Sequence, residues 1–230
     1  TDGDIYLGNV EVSGSMQSTG RYIELSGVYL FSNSGWDLTN FLGARLIGNT
    51  RIEANGELQL PDDIDGDYDN SGPYSFTLAA TDYSFDDDGS GPESDIVDVS
   101  TFILRPYTVG GDMDLGSADD ADAGTLEIPT SAFNLFDTTI GQVKFGWLNG
   151  DPGSSSDGTG TITVRDATFN SPLDVQASGV GGVVELLGTL TGNDDATVDL
   201  NAESITSGDG DGAAINTAGN TVRYRGAVTL

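Results

Sequence analysis

The stretch PDDIDGDYDNSG, residues 61 to 72, sets Asp63, Asp65, Asp67 and Asp69 at alternate positions around one glycine, Gly66. Ca2+ takes about six to eight oxygen ligands, and an Asp-rich loop kinked at glycine supplies most of them. The spacing is not that of an EF-hand, because counting from Asp63 leaves Tyr68 where that loop requires glycine. A second acidic run, SFDDDGSGPESD, brings Asp86, Asp87, Asp88 and Asp95. It is placed to complete the same site from the far side of a strand over 74 to 80. Three further groups carry a weaker version of the signal: Asp119, Asp120 and Asp122; Asp194 and Asp195; Asp209 and Asp211. The nonapeptide Ca2+ roll needs a repeated Gly-Gly-x-Gly-x-Asp, and SGDGDG occurs once. A solvated turn is the competing reading at every one of these places, since Asp favours turns with or without an ion.

Other chemistries have less to work with. The chain has no Cys and no His, which excludes zinc sites, thiol nucleophiles, His-dependent triads and disulfide staples together. Paired carboxylates for glycoside hydrolysis need rigid placement about 5 to 9 Å apart, and most of the acids here fall in Gly-rich turns. Arg223 and Arg225 sit two apart on one strand face. They suit either a sugar-acid site or plain compensation of neighbouring Asp, and compensation is the simpler reading. Trp36 and Trp147 either stack on sugars or plug and cover a rod. The balance points away from an enzyme.

The charge sets the class of partner. Asp and Glu number 37 against 8 Lys and Arg, for a net charge of −29, and Lys144 is the sole lysine. Such a surface repels nucleic acid and anionic membranes and attracts cations. A solvated coat suited to salt water and a set of Ca2+-filled loops both explain the acids, and the two can coexist. No apolar run reaches the length of a membrane span. The sequence opens without Met, which reads as a processed or internal segment.

The elements that must carry these residues are short strands. With 33 Gly in 230 residues, turns are frequent. Alternating apolar and polar residues mark strands at 161–166, 173–177, 183–190, 196–205 and 219–230, with turn chemistry between them. Two short stretches, 34–46 and 129–139, have helix-like spacing. Three strands take about 20 to 30 residues, the coil length of a parallel β-helix. The fold expected is therefore all-β: a parallel β-helix (β-solenoid) with loop-rich acidic excursions. An antiparallel β-sandwich is the alternative, since it too alternates strands and turns.

At STFILRPYTVGGDMDLG, residues 100 to 116, the chain resembles the filamentous-haemagglutinin-like exoproteins. In those secreted bacterial adhesins a Leu-Arg-Pro strand is followed by a Gly-rich turn and a Gly-x-x-x-Leu-Gly strand. Leu104, Arg105, Pro106, Gly110, Gly111, Leu115 and Gly116 match that pattern. The similarity covers 100 to 230, with a weaker echo in 1 to 60; the acidic 61–96 stretch departs from it. The resemblance implies a right-handed β-helical rod, extracellular or on a cell surface, with adhesion to carbohydrate or cells.

The expected organisation is solenoid coils over 1–60 with a short helical excursion near 36–46, an acidic outgrowth over 61–96, and further coils over 97–230. About ten coils at about 4.8 Å each make a rod of about 50 Å. Rod ends expose unpaired backbone groups, and joining Leu230 to Thr1 reads as two strands around a Thr-Asp-Gly turn. The expected function is a structural or adhesive repeat unit of a secreted fibre, stacked head to tail on copies of itself and stiffened by Ca2+. Two alternatives stay open: a virion or surface β-sandwich binding protein from a saline environment, and a tailspike-like β-helical enzyme that degrades polysaccharide.

Overall fold

The computed structural model describes residues 5–12, 16–17, 20–61, 63–85, 96–117, 124–193, 196–208 and 213–229. Among them every strand pairing is parallel, and the strands stack into a β-solenoid of about eight turns. The parallel β-helix is the fold; hairpin pairing, which a sandwich requires, does not occur among the described residues.

Each turn crosses three faces. The first face holds Ile5–Leu7, the start of Tyr22–Phe31, the start of Gly43–Ala54, Asp63–Asp65 and Ile96–Val97. The second holds Val10–Val12, the ends of the same two long strands, Ser75–Ala80, Thr101–Pro106, Val143–Gly146, Leu173–Ala177 and the starts of Val198–Ser207 and Val222–Thr229. The third begins with Met16–Gln17, Trp36–Asp37, Glu57–Leu60 and Asp82–Phe85 and ends with Thr161–Val164, Val183–Leu186 and the tails of the last two long strands. The long strands are long because they run over a corner, where their register slips between Leu25 and Gly27 or between Asn201 and Ser204.

In-register parallel stacking places every second side chain beneath its counterpart in the next rung. On the second face the result is one column of nine: Val10, Tyr29, Ile52, Leu78, Leu104, Phe145, Val175, Leu200 and Tyr224. The seven from Tyr29 to Leu200 are 0% exposed, and burying each such side chain contributes about 1.5–3 kcal/mol. Nine rungs are eight steps, so at about 4.8 Å per step the rod is about 38 Å long.

The local differences from expectation have physical causes. The 34–46 stretch is not helical. Trp36–Asp37 is a strand paired with Leu58 and Gln59, and the Asp37 carboxylate accepts from the Thr39 backbone N–H at 3.0 Å and hydroxyl at 2.7 Å, a local bond that competes with helix. Trp36 packs between Tyr29 and Phe31, with ring centroids 5.4 and 5.0 Å away. In the second stretch Thr130–Leu135 is a six-residue 3-10 helix that plugs Phe133 into the core. There Phe133 meets Phe136 and Phe145, each at 5.7 Å, and Phe136 meets Phe102 at 5.5 Å and Phe145 at 6.4 Å. The 183–190 stretch divides into Val183–Leu186 and Thr189–Gly192 at a corner. Within the acidic 61–96 stretch, Asp63–Asp65, Ser75–Ala80 and Asp82–Phe85 are rungs of the rod itself.

One rung is out of order. Thr125–Pro129 follows Asp112–Ser117 in sequence and pairs with it in parallel, but lies on the side toward Asp82–Phe85, while Asp112–Ser117 pairs onward with Thr161–Val164. The third face therefore has one extra rung there and no ladder joining 82–85 to 125–129. On the first face the ladder also thins to a single bridge, Ile96 to Phe136. Among the described residues only the second face runs unbroken, from Val10 to Arg225.

Candidate functional sites

Asp63 and Asp65 stand on a strand and Asp67 and Asp69 in the turn that follows it, and three of the four bond the backbone of that turn. Asp65 accepts from the Asp67 N–H at 3.0 Å, Asp67 from the Gly72 N–H at 2.7 Å and Asp69 from the Ser71 N–H at 3.0 Å. Asp63 projects from the first face and is exposed. Among the described residues no group of three or more acidic side chains gathers as a metal-binding set. Asp86, Asp87, Asp88 and Asp95 lie outside the described residues, as do Asp119, Asp120, Asp122, Asp194, Asp195, Asp209 and Asp211.

Beside that turn, on the outer side of the first face, is an open groove of about 340 Å3. Register makes it. Tyr22, Gly43 and Asp63 occupy one outward column, and Glu24, Arg45 and Asp65 the next. Gly43 leaves a gap in the first column; a Cβ there would meet Asp63 at 3.0–3.1 Å and the Tyr22 ring at 3.4 Å. The Arg45 guanidinium lies 3.6 Å from the Tyr22 ring centroid and 3.8 Å from that of Tyr68, held between two aromatic faces. Asp65 is its register partner on the next rung and Glu24 on the previous one. Of this set only Asp63 and Asp65 stand out in the sequence; Arg45 shows its role only once the rungs are in register.

A second constellation runs along the outside of the second face. Five of the eight cations are there: Arg51, Arg105, Lys144, Arg223 and Arg225. Residues 148–157 fold back over the middle of this strip. Lys144 bonds Asp151 at 3.1 Å, and Arg105 donates to the Pro152 carbonyl at 2.7 Å and to Glu53 at 3.2 Å. Arg105 is 0% exposed and its guanidinium lies 3.8 Å from the Trp147 ring centroid; burial pulls its pKa down, and Glu53 opposes that. Asp174, 7% exposed, stands between Lys144 on one rung and Asp199 on the next. Burial pushes its carboxyl up to about 6, with Lys144 and a hydrogen bond from Gln176 opposing. The strip was visible in sequence only as scarce cations recurring about a turn or two from acids: 174, 199 and then 223 and 225.

The residues set aside for sugars are used for packing. Trp36 is 1% and Trp147 6% exposed, and Trp147 Nε1 donates to the Pro106 carbonyl at 2.9 Å. Arg223 and Arg225 both grip Asp199, at 3.3 and 2.7 Å, so charge compensation is what they do. Leu104 of the Leu-Arg-Pro segment joins the core column, and Arg105 the covered strip.

The last rung is different. Tyr224 ends the core column of the second face, and Val228 ends the third-face column Met113, Ile162, Val184 and Ile205. Yet Tyr224 is 46% and Val228 44% exposed, while Leu200 and Ile205 one rung earlier are 0% and 1%. No family model matches the chain, and no curated protein or solved structure matches it.

Proposed function

We propose that this chain is a rod segment of an extracellular structural or adhesive fibre, stacked end to end on copies of itself. The unbroken ladder of the second face supports this reading, since nine rungs in register make a rod that lengthens by whole rungs. Tyr224 and Val228 occupy core positions, and apolar residues at such positions are stable when another rung covers them. The first rung offers a matching surface. Continuing each column by one rung sets Val10 on Tyr224 and Glu11 on Arg225, because Val10 and Glu11 head the columns that Tyr224 and Arg225 close. Apolar meets apolar, and opposite charges meet. Copies carrying −29 repel at long range, but at physiological salt the screening length is about 8 Å, so contact terms decide. The resemblance of residues 100–116 to filamentous-haemagglutinin-like exoproteins supports an extracellular rod.

Light scattering and electron microscopy of the chain over a concentration series test the stacking. Linear oligomers are expected, growing longer with added salt. Arg225→Glu shortens them, and adding Glu11→Arg to that variant restores them. A chain that stays monomeric throughout refutes end-to-end assembly.

Calcium belongs to this reading through the carboxylates of Asp63, Asp65, Asp67 and Asp69, of which Asp63 and Asp69 are exposed. Added Ca2+ is expected to raise the melting temperature and chelator to reverse the rise. Equal melts in Ca2+ and chelator remove the ion and leave the stacking untouched.

A further inference from the structure

We propose that the groove on the first face binds a neutral saccharide. Its volume of about 340 Å3 falls within the range of about 300–1,000 Å3 of small-molecule sites. The chemistry of its lining narrows the ligand. A sugar ring presents hydroxyls that both donate and accept, and an apolar face of C–H groups. The groove supplies a counterpart to each: guanidinium N–H donors from Arg45, carboxylate acceptors from Asp63 and Asp65, and the ring of Tyr68, which is 42% exposed.

Preorganisation is built in. Arg45 is clamped between Tyr22 and Tyr68, so its donors need little ordering when a ligand arrives, and ordering costs are what weaken small-ligand binding. All but Tyr68 stand on strands whose register the core fixes. Gly43 provides the depth: any side chain at that position would enter the space between Tyr22 and Asp63.

Charge selects among sugars. Arg45 is outnumbered by Glu24, Asp63 and Asp65, in a chain of net −29. A uronic acid or a sulfated sugar would bring a further negative charge into that field, so the ligand is a neutral pyranoside. The groove faces outward from the early rungs, away from the Val222–Thr229 edge, so this inference does not depend on end-to-end assembly.

The test is an NMR titration of the 15N-labelled chain with glucose, galactose, N-acetylglucosamine and maltose, and with glucuronate and galacturonate as charged counterparts. At least one neutral sugar is expected to shift the amides of Gly43, Arg45 and Asp65 saturably, with the uronates inert. Tyr68→Ala removes an exposed ring outside the core and weakens binding about tenfold, with the rest of the spectrum unchanged. Gly43→Val abolishes binding by filling the groove; should that variant misfold, Tyr68→Ala alone decides. Neutral sugars that shift none of the groove amides overturn the assignment. So do uronates that bind as well as their neutral counterparts, or affinity that Tyr68→Ala leaves intact.

Discussion

Replacing Asp174 by Asn should stabilise the protein at neutral pH and do nothing in acid. The carboxyl has an ordinary value of 3.8 and is pushed up to about 6 by burial. Between those two pH values the unfolded chain has released the proton while the folded chain retains it. Stability attached to this group therefore falls as pH rises through that window, and the loss is complete above about pH 6. Two units at about 1.4 kcal/mol each amount to about 3 kcal/mol. Asparagine has almost the same shape, carries no charge to desolvate, and keeps an oxygen for the Gln176 amide that now bonds Asp174. Lys144 keeps its ion pair with Asp151 at 3.1 Å, so the substitution strands no cation. The assay is urea denaturation of Asp174→Asn beside the parent chain at pH 3.5, 5 and 8. Comparing the two chains at each pH cancels the titration of the many other acids. The expected gain is near zero at the lowest pH and about 2–3 kcal/mol at the highest, or about 5–10 °C in Tm for a chain of this length. A variant less stable than the parent at pH 8, or equally shifted at every pH, refutes the burial argument.

The core column makes a second prediction: Leu104→Ala removes a 0% exposed side chain between Leu78 and Phe145 and costs about 2–5 kcal/mol, read by the same denaturation. Trp147→Phe keeps a ring near Arg105 but deletes the 2.9 Å bond to the Pro106 carbonyl. Leaving that buried acceptor unpaired costs about 1–3 kcal/mol, and a cost near zero would show that water replaces the indole.

The parallel β-helix was legible because its repeat is written locally. Period-2 alternation and Gly-rich turns put Leu173–Ala177 where it was expected, and the strands around it differ mainly at their ends. Corners were harder. Gly188 interrupts an alternating run without a break in hydropathy, so 183–190 read as one strand where the chain makes two. The spacing of Trp36, Phe41 and Leu42 looked helical because short apolar runs fit either period; Trp36 and Phe41 are buried but Leu42 is 58% exposed. The groove was half legible: Asp63 and Asp65 announced themselves by composition, while Tyr22, Gly43 and Arg45 become neighbours through a register that spans some 20 residues per step. The backward step of Thr125–Pro129 has no local signature at all, since it depends on which neighbour a strand finds.

That backward step bears on how the rod yields under load. Among the described residues around 110–140 the first and third faces are interrupted, while the second continues through Thr101–Pro106 and Val143–Gly146. Backbone hydrogen bonds resist separation of rungs, so resistance there is concentrated along one side. A transverse force bends such a rod at its middle about the intact side, as a hinge pin would direct it, and in one plane more easily than in the other. A fibre assembled from these segments would inherit the preference, flexing at regular intervals and always toward the same flank.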